Sequence, residues 1–424
     1  MFVVALLMLL SGFPVAFVFG GIALLFGVYA EGAELFAFMP YRIQNIMQNT
    51  VLMAVPLFVF MGIVLQKTKL AEQLLEAMGK LFGSVRGGLA ISTILVGGLL
   101  AASTGVVGAS VVAMGLISLP VMLKYNYDKK FATGVICASG TLGQIIPPSV
   151  ILIILGDVMG IPVGDLFRAA VGPGFVLILG YVIYILVYTF INKDAAPAIP
   201  VKLDAGTKAA QYKQALIAIL PPLLLILVVL GSIFAGIATP TESSALGGVG
   251  ALALALAYRQ FSWKMLFEAS TETIKITAMV FAILLGATAF SMAFTYTGGD
   301  VIIEDALLNL PGDKMGFLIL SMLVIMVLGF FIDFVEISFI IVPILAPVAI
   351  TLGIAPVWFA ILIAMNLQTS FLTPPFGFSL FYLKGVAPPS VQTIDIYRGV
   401  VPFIAIQVIV VISLLLFPDL YGLD

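Results

Sequence analysis

Two prolyl pairs at matching places in the two halves of this 424-residue chain constrain its fold more than any other feature. Pro147-Pro148 follows Pro120, and Pro374-Pro375 follows Pro347 at the same spacing, with a shift of 227 positions between the copies. Each pair lies in an apolar stretch, where proline removes a backbone donor and clashes with the preceding turn. The pattern predicts two copies of one unit, each with a helix broken at mid-depth whose free backbone groups can hold an ion or a polar ligand.

The composition predicts that lipid surrounds most of the chain. Hydrophobic residues make up 62% and charged residues 9% of the sequence, against about 45–50% and about 25% in soluble domains. The single cysteine and the lack of histidine exclude an internal disulfide, a Cys-based metal site and proton relay by imidazole. A net charge of −2 gives no indication of a nucleic-acid partner. We expect an all-α polytopic membrane protein in the bilayer, and no Ser/His or metal constellation indicates an enzyme.

Runs of spanning length predict the order of the transmembrane segments. They occur at 14–29, 51–66, 131–160 (broken), 171–192, 214–236, 241–258, 273–297, 357–385 (broken) and 399–417, after a shorter run at 2–10.

The same runs predict an inverted repeat. Residues 1–200 form the predicted first repeat and residues 214–424 the second, joined by a cytoplasmic linker at 193–213. The chain crosses an odd number of times between the repeat starts at Pro14 and Pro240, so the second copy is inverted relative to the first.

Two longer stretches, 88–124 and 315–351, have polar, glycine-rich centres. We interpret both as re-entrant hairpins that enter and leave the membrane on one side. Most Lys and Arg residues fall in loops on one side, which the positive-inside rule makes cytoplasmic, while Arg42, Arg168 and Lys314 are on the other. The hairpin at 315–351 then enters from outside, and the C-terminus is predicted to be periplasmic.

Two polar segments outside the predicted spans occupy corresponding places in the two repeats. Residues 70–80 place Glu72 and Glu76 on one helical face and leucines on the other, which is typical of a helix lying in the membrane interface. Residues 300–308 are their counterpart. Such helices could be arms between a static frame and a moving part, or solvated loop helices without a mechanical role.

Four motifs resemble the large membrane subunit of tripartite ATP-independent periplasmic (TRAP) transporters. They are Gly140-Thr-Leu-Gly-Gln-Ile-Ile-Pro-Pro-Ser149, Gly236-Ile-Ala-Thr-Pro-Thr-Glu-Ser-Ser-Ala245, Gly12-Phe-Pro-Val-Ala-Phe17 and the segment 366–377. The resemblance implies a sodium-driven importer of a small organic anion such as a dicarboxylate, a keto or hydroxy acid, or sialic acid. It also implies an elevator-type mechanism in the inner membrane. The implied partners are a periplasmic substrate-binding protein and a small four-helix membrane subunit, here a separate polypeptide.

Each hairpin tip, paired with the broken helix of its own repeat, gives a candidate site for Na⁺ and the anion. Exposed carbonyls, hydroxyls and the positive end of the second half-helix supply hard oxygen ligands and an anion-binding terminus. The first site draws on Ser103, Thr104, Gly105, Ser139, Gly140, Thr141, Gly143 and Pro147. The second draws on Gly329, Asp333, Asn366, Thr369, Ser370, Thr373 and Pro374. The sodium ligands themselves are predicted to be Ser103, Gly140, Thr141, Asp333, Thr369 and Thr373. The alternative is that these hydroxyls bond only their own backbone.

Intramembrane carboxylates need a reason for their position, because ionised groups at that depth cost on the order of 3 kcal/mol. We expect Asp333 to support the second sodium site. The structural alternative for both Asp333 and Glu336 is a cap on the hairpin tip that faces outside water. For Glu336 we favour that cap over support of the hairpin or contact with the frame, and for Asp157 and Glu242 we favour a structural role.

Two other kinds of transport protein fit parts of the pattern. A channel can contain paired re-entrant loops, but no acidic ring or TVGYG-like filter is evident in the sequence. A stand-alone sodium/carboxylate symporter that needs no binding protein is the second alternative.

Overall fold

The computed structural model describes residues 1–68, 70–82, 85–198 and 208–423. These residues form helices and no strand, so the predicted all-α fold class is confirmed. The helices are α1 Phe2–Leu10, α2 Val15–Glu31, α3 Met39–Gln48, α4 Ala54–Lys67, α5 Leu70–Phe82, α6 Gly88–Thr104, α7 Val107–Lys124, α8 Lys129–Thr141, α9 Val150–Met159, α10 Val163–Ile191, α11 Lys208–Phe234, α12 Pro240–Ala257, α13 Trp263–Tyr296, α14 Gly299–Leu308, α15 Asp313–Leu328, α16 Phe334–Glu336, α17 Val342–Thr351, α18 Pro356–Leu372, α19 Phe378–Val386 and α20 Thr393–Leu416.

Five described helical stretches are long and apolar enough to cross a membrane. They are Val107–Lys124, Val163–Ile191, Trp263–Tyr296, Phe334–Thr351 and Thr393–Leu416. Shorter apolar helices, among them α9 and α18, form the broken segments. A polytopic membrane protein is therefore the class that length and apolar composition support.

Both prolyl pairs interrupt a helix, as the sequence predicts. Break 1, residues 142–149, separates α8 from α9, and break 2, residues 373–377, separates α18 from α19. Proline removes the donor that the carbonyl four residues earlier would accept from. In each break a serine hydroxyl replaces it: Ser149 Oγ donates to the Gln144 carbonyl at 2.6 Å, and Ser379 Oγ donates to the Phe371 carbonyl at 2.8 Å. The two breaks thus share one local solution.

A third prolyl pair, Pro221-Pro222, lies inside the unbroken helix α11. The Ile217 carbonyl, four residues before Pro221, accepts a hydrogen bond from the Tyr258 hydroxyl of α12 at 3.2 Å. A neighbouring helix therefore supplies the missing donor, and α11 continues.

Both predicted hairpins are helix pairs close to the predicted bounds. The second arm of each, Val107–Lys124 and Phe334–Thr351, is long and apolar enough to cross a membrane, so their re-entrant course stays a prediction. Hairpin 1 consists of α6 and α7, which turn at Gly105 with φ at 61° and contact each other. Hairpin 2 consists of α15 and the stretch from α16 to α17, which includes a π-helical turn at Ile337–Ile341. π-helical turns are frequent at functional sites.

The helices divide into two groups by their packing. In the frame, α2 packs on α13, α4 packs on α12 and α13, and α11 packs on α12. The hairpins and broken helices form the core group together with α20, which packs on α8 and α18, and α10, which packs on α18 and α20. The two groups also contact each other directly, since α4 packs on α6 and α13 packs on the π-helical turn of hairpin 2. Helix α11 begins at Lys208, inside the predicted linker 193–213, and residues 199–207 lie outside the described part of the chain.

Candidate functional site

Glycines bring hairpin 1 against break 1. A side chain at Gly143 would collide with the backbone carbonyl of Ala101, and one at Gly140 would meet the backbone of Val111. At Gly97, an added Cβ would lie 2.6 Å from the Cβ of Ser139. The predicted residues of the first site are therefore held together by backbone contacts that only glycine permits.

The hydroxyls of the first site donate locally. Thr104 Oγ1 and Ser110 Oγ, on opposite sides of the hairpin turn, are 2.8 Å apart. Ser139 donates to Ile136 and Thr141 donates to Ala138, each at 2.9 Å. This is the bonding that the alternative interpretation expects of Ser and Thr in membrane helices. A hydroxyl that donates still has oxygen lone pairs for a cation.

Ser103 and Pro147 are two further residues of the predicted first site. Ser103 lies in α6, but its side chain is outside the described part of the structure. Pro147 borders an apolar cavity of about 320 Å³ between α6, α10 and α11. Its ring therefore lies against apolar side chains, and its place in the sodium or substrate site stays a prediction.

Hairpin 2 meets α18 through different contacts. A side chain at Gly329 would collide with the hydroxyl of Ser370, and Asn366 Nδ2 donates to the Met322 carbonyl of α15 at 2.6 Å. The hydroxyls of Thr369, Ser370 and Thr373 donate to carbonyls of their own helix at 2.7–2.9 Å. Pro374 follows directly in break 2.

Asp333 caps the second half of hairpin 2. Its Oδ1 accepts a hydrogen bond from the backbone amide of Phe334 at 2.6 Å, and its side chain is partly exposed. Glu336 is only 4% exposed, and its Oε2 has no hydrogen-bond partner among the described residues. Asp333 therefore makes the cap, and the Glu336 carboxyl also accepts a hydrogen bond from the Asp333 backbone amide. The expectation that Glu336 faces outside water is wrong, because its side chain is buried.

The two hairpin–break pairs meet across the repeats. Helix α9, which follows break 1, packs on α16, α17 and the π-helical turn of hairpin 2. Helix α19, which follows break 2, packs on α7 of hairpin 1, with the Tyr382 ring against Gly108. We call these four segments the junction: residues 101–110, 139–150, 329–341 and 366–382.

The junction contains no Lys or Arg, and its two carboxylates both belong to hairpin 2. Its two glutamines, Gln144 in break 1 and Gln368 in α18, are buried. Among the described residues neither amide has a hydrogen-bond partner by distance, although Gln368 lies near the Tyr181 hydroxyl. Buried polar groups normally have partners, so these amides mark places where a ligand or water completes the bonding. Neither glutamine was predicted to be a site residue, although Gln144 lies three residues before the first prolyl pair.

The two remaining acidic residues make structural bonds. Asp157 Oδ1 in α9 accepts a hydrogen bond from Asn49 Nδ2 at 2.6 Å, which connects the core group with the segment before α4. Glu242 forms a capping box with Thr239 at the start of α12. Both observations agree with the structural roles expected of these residues.

Broken helices, paired hairpins and a junction of oxygen-bearing groups define a polytopic membrane permease. The family model described as "Tripartite ATP-independent periplasmic transporter, DctM component" matches residues 2–420. The chain belongs to this family, and it is thus the large permease component of a TRAP transporter.

Individual relatives agree with the family. The chain is 31% identical over 373 residues to the C4-dicarboxylate TRAP transporter large permease protein DctM of Pseudomonas aeruginosa, covering 88% of this chain and 85% of that protein. It is 29% identical to the sialic acid TRAP transporter large permease protein SiaM of Vibrio cholerae, covering 97% and 94%. The solved structure of the Alcanivorax borkumensis YdaH transporter has the same fold, with a TM-score of 0.65 at 14% identity over 99% of both chains.

Proposed function

We propose that this permease imports a small organic anion, with at least one carboxylate, in symport with Na⁺ by an elevator-type movement. The observation that carries the proposal is the junction, where two breaks and two hairpin tips collect hydroxyls, carbonyls and carboxylates without a basic side chain. The relatives named above act on C4-dicarboxylates and sialic acid, and both solute classes contain a carboxylate.

The oxygen groups of each pair suit Na⁺. Thr141 and the backbone at Gly140 lie at break 1, while Asp333, Thr369 and Thr373 lie at or beside hairpin 2 and break 2. Hydroxyl, carbonyl and carboxylate oxygens are hard ligands, and an unneutralised carboxylate at this depth is unfavourable. A cation on each pair would also give the anion a positive partner that the side chains of the junction do not provide.

The energetics favour more than one sodium ion. A thousandfold accumulation of solute costs about 4.1 kcal/mol, and one negative charge moving inward against ~100 mV adds about 2.3 kcal/mol. One Na⁺ with a tenfold gradient returns about 3.7 kcal/mol. Two or more ions exceed the requirement, in agreement with two candidate sites.

The packing of α5 and α14 supports an elevator-type movement. Helix α5 contacts α11 of the frame and α6 of hairpin 1, and α14 contacts α13 of the frame and α17 of hairpin 2. Each therefore connects the frame with a hairpin, as the arm interpretation predicts. In this proposal the core group moves relative to the frame, and the Asn49–Asp157 bond breaks and forms during the cycle.

The partners follow from the tripartite family. The proposed complex adds a small four-helix membrane subunit and a periplasmic binding protein that delivers the anion. The distribution of Lys and Arg supports an inner-membrane orientation with Lys129 and Lys130 cytoplasmic and the C-terminus periplasmic.

Uptake into proteoliposomes tests the proposal. The permease is reconstituted with its small subunit, supplied with the binding protein, and given radiolabelled succinate or sialic acid under an inward Na⁺ gradient. We expect saturable uptake that disappears when choline replaces Na⁺. A cysteine pair at Asn49 and Asp157 tests the movement, since the native Cys137 is buried. Oxidation should stop uptake and reduction restore it, whereas full uptake in the oxidised state would exclude this movement.

A further inference from the structure

An aromatic cavity in the junction has no role in the proposed sodium chemistry. Its volume is about 240 Å³, and its wall consists of two leucines of α1 and five phenylalanines of the junction, Phe330, Phe331, Phe376, Phe378 and Phe381. The first two phenylalanines form the tip of hairpin 2, the third lies in break 2 and the others lie in α19. Helix α1 packs on α2 of the frame. The cavity therefore lies where the second hairpin–break pair faces the frame.

The rings of this cavity leave apolar surface uncovered. Phe331, Phe376 and Phe381 are 40%, 44% and 55% exposed. The ring centroids of Phe331 and Phe376 are 5.1 Å apart, a distance typical of interacting aromatic pairs, so the hairpin tip and break 2 share one aromatic wall. Apolar surface that lines a concave site beside polar groups is suited to the apolar part of a ligand.

The corresponding positions of the first repeat have hydroxyl groups. The residue that directly follows the prolyl pair is Ser149 in break 1 and Phe376 in break 2. At the same shift of 227 positions, Thr104 at the turn of hairpin 1 corresponds to Phe331 at the tip of hairpin 2. The junction therefore has a hydroxyl-bearing side in pair 1 and an aromatic side in pair 2. Such a division is complementary to a solute with one polar end and one apolar end.

The cavity has the size and the position that a phenyl ring requires. An apolar cavity of about 150 Å³ is enough to bind benzene. The proposed sodium ligand Thr373 lies three residues before Phe376, and Asp333 lies two residues after Phe331. Since each residue spans at most about 3.6 Å, both aromatic segments lie within about 11 Å of a proposed ligand along the backbone. A short linker between a carboxylate and a ring is sufficient to join the two regions.

We propose that the aromatic cavity binds a ring at the far end of the solute, so that the transported class is an arylalkyl monocarboxylate. The carboxylate then lies toward the proposed sodium ions and the hydroxyl groups of pair 1. Small carboxylates without a ring bind more weakly. This inference rests on the proposed function, because it takes the junction as the solute site.

Three carboxylates separate a ring from other occupants of the cavity: 3-phenylpropionate, propionate and octanoate. Each is titrated against the purified permease complex in saturating NaCl, and binding is measured from the rise in melting temperature. We expect 3-phenylpropionate to bind at least tenfold more tightly than propionate, because the ring leaves water for an apolar wall. Octanoate represents a lipid chain as the occupant, and it should bind less tightly than 3-phenylpropionate because it does not stack on the rings.

Two variants give pair 2 the residues of pair 1. Phe376→Ser removes a ring of the shared wall, and the preference for 3-phenylpropionate over propionate should fall at least fivefold. Phe331→Thr should lower the same ratio, and it serves if Phe376→Ser does not fold. Phe267→Ser on α13 is the matched control, since Phe267 is exposed and does not line the cavity, and the ratio should not change.

Three results would overturn the inference. They are binding of 3-phenylpropionate no tighter than that of propionate, octanoate binding tighter than 3-phenylpropionate, and a probe ratio that neither phenylalanine variant lowers. The second result would assign the cavity to a lipid chain. Repeating the titrations in choline chloride separates the two proposals. Equal binding in both salts with the ring preference retained would contradict the proposed symport and leave the aromatic cavity intact, whereas sodium-dependent binding without a ring preference would do the reverse.

Discussion

The two hairpin–break pairs share a backbone plan and differ in chemistry. Pair 1 is uncharged, and its glycines bring backbone against backbone at Gly143 and Ala101 and backbone against side chain at Gly97 and Ser139. Pair 2 carries both carboxylates of the junction, and its contacts use side chains, such as Ser370 against Gly329 and the Asn366 amide on Met322. The two pairs thus share breaks and hairpins and differ in charge, so only the proposed cation site of pair 2 has a carboxylate ligand, Asp333.

The largest expected losses of stability and uptake follow from a substitution at the backbone contact between Gly143 and Ala101 in pair 1. Gly143→Ala places a Cβ against the Ala101 carbonyl, which cannot move without shifting α6. We expect a loss of stability near 3 kcal/mol, the upper end for overpacking, and at least a tenfold loss of uptake. Gly329→Ala meets mainly the Ser370 side chain, with the Ile325 carbonyl oxygen 3.2 Å away. About 1 kcal/mol is therefore expected there.

Chemical denaturation and uptake measure both variants. Gly231→Ala is the control, because a Cβ there meets nothing within 4 Å and α11 should tolerate it. Adding Ser370→Gly to the Gly329→Ala variant should restore its stability, since the second substitution removes the clashing hydroxyl. Equal effects of Gly143→Ala and Gly329→Ala would remove the distinction between backbone and side-chain packing.

A smaller loss of stability is expected from removing the serine hydrogen bonds that the two hairpin–break pairs have in common. Ser149→Ala and Ser379→Ala each remove the hydroxyl that donates to a carbonyl freed by proline. Both variants should lose about 1 kcal/mol of stability, the value for a single hydrogen bond. A loss in only one of them, measured by denaturation, would indicate that the breaks are not equivalent. Ser413→Ala is a suitable control, because it removes serine hydrogen bonds that lie away from the breaks. The Ser413 hydroxyl in α20 bonds to the Val410 carbonyl and to the Tyr421 hydroxyl.

The prolines and the apolar runs were sufficient to predict the breaks, the hairpins and the membrane class. Prolyl pairs alone are not sufficient, since Pro221-Pro222 leaves α11 intact through the Tyr258 hydroxyl, a tertiary contact that no local pattern contains. The unpartnered amides of Gln144 and Gln368 were not predicted for the same reason. Whether a buried group has a partner depends on neighbours that folding brings together from distant segments.

The hydroxyl groups show a second reason why the sequence does not predict the sodium ligands fully. Thr141, Thr369 and Thr373 lie at or beside the breaks, and each hydroxyl donates to a backbone carbonyl three or four residues earlier. Sequence spacing places a hydroxyl at a break, but it does not decide whether the oxygen faces the backbone or an ion. The sodium ligands therefore stay a prediction.

Sodium binding to the purified permease tests the two-site account most directly. Melting temperature is measured against NaCl at constant ionic strength, with choline chloride as the balancing salt. At a Na⁺ concentration a hundredfold above its Kd, each site adds about 2.7 kcal/mol of stability. The native protein should therefore show the sodium dependence of two bound ions, and Asp333→Asn should show that of one. The same sodium dependence in Asp333→Asn as in the native protein, or no difference between Na⁺ and choline, would contradict the account.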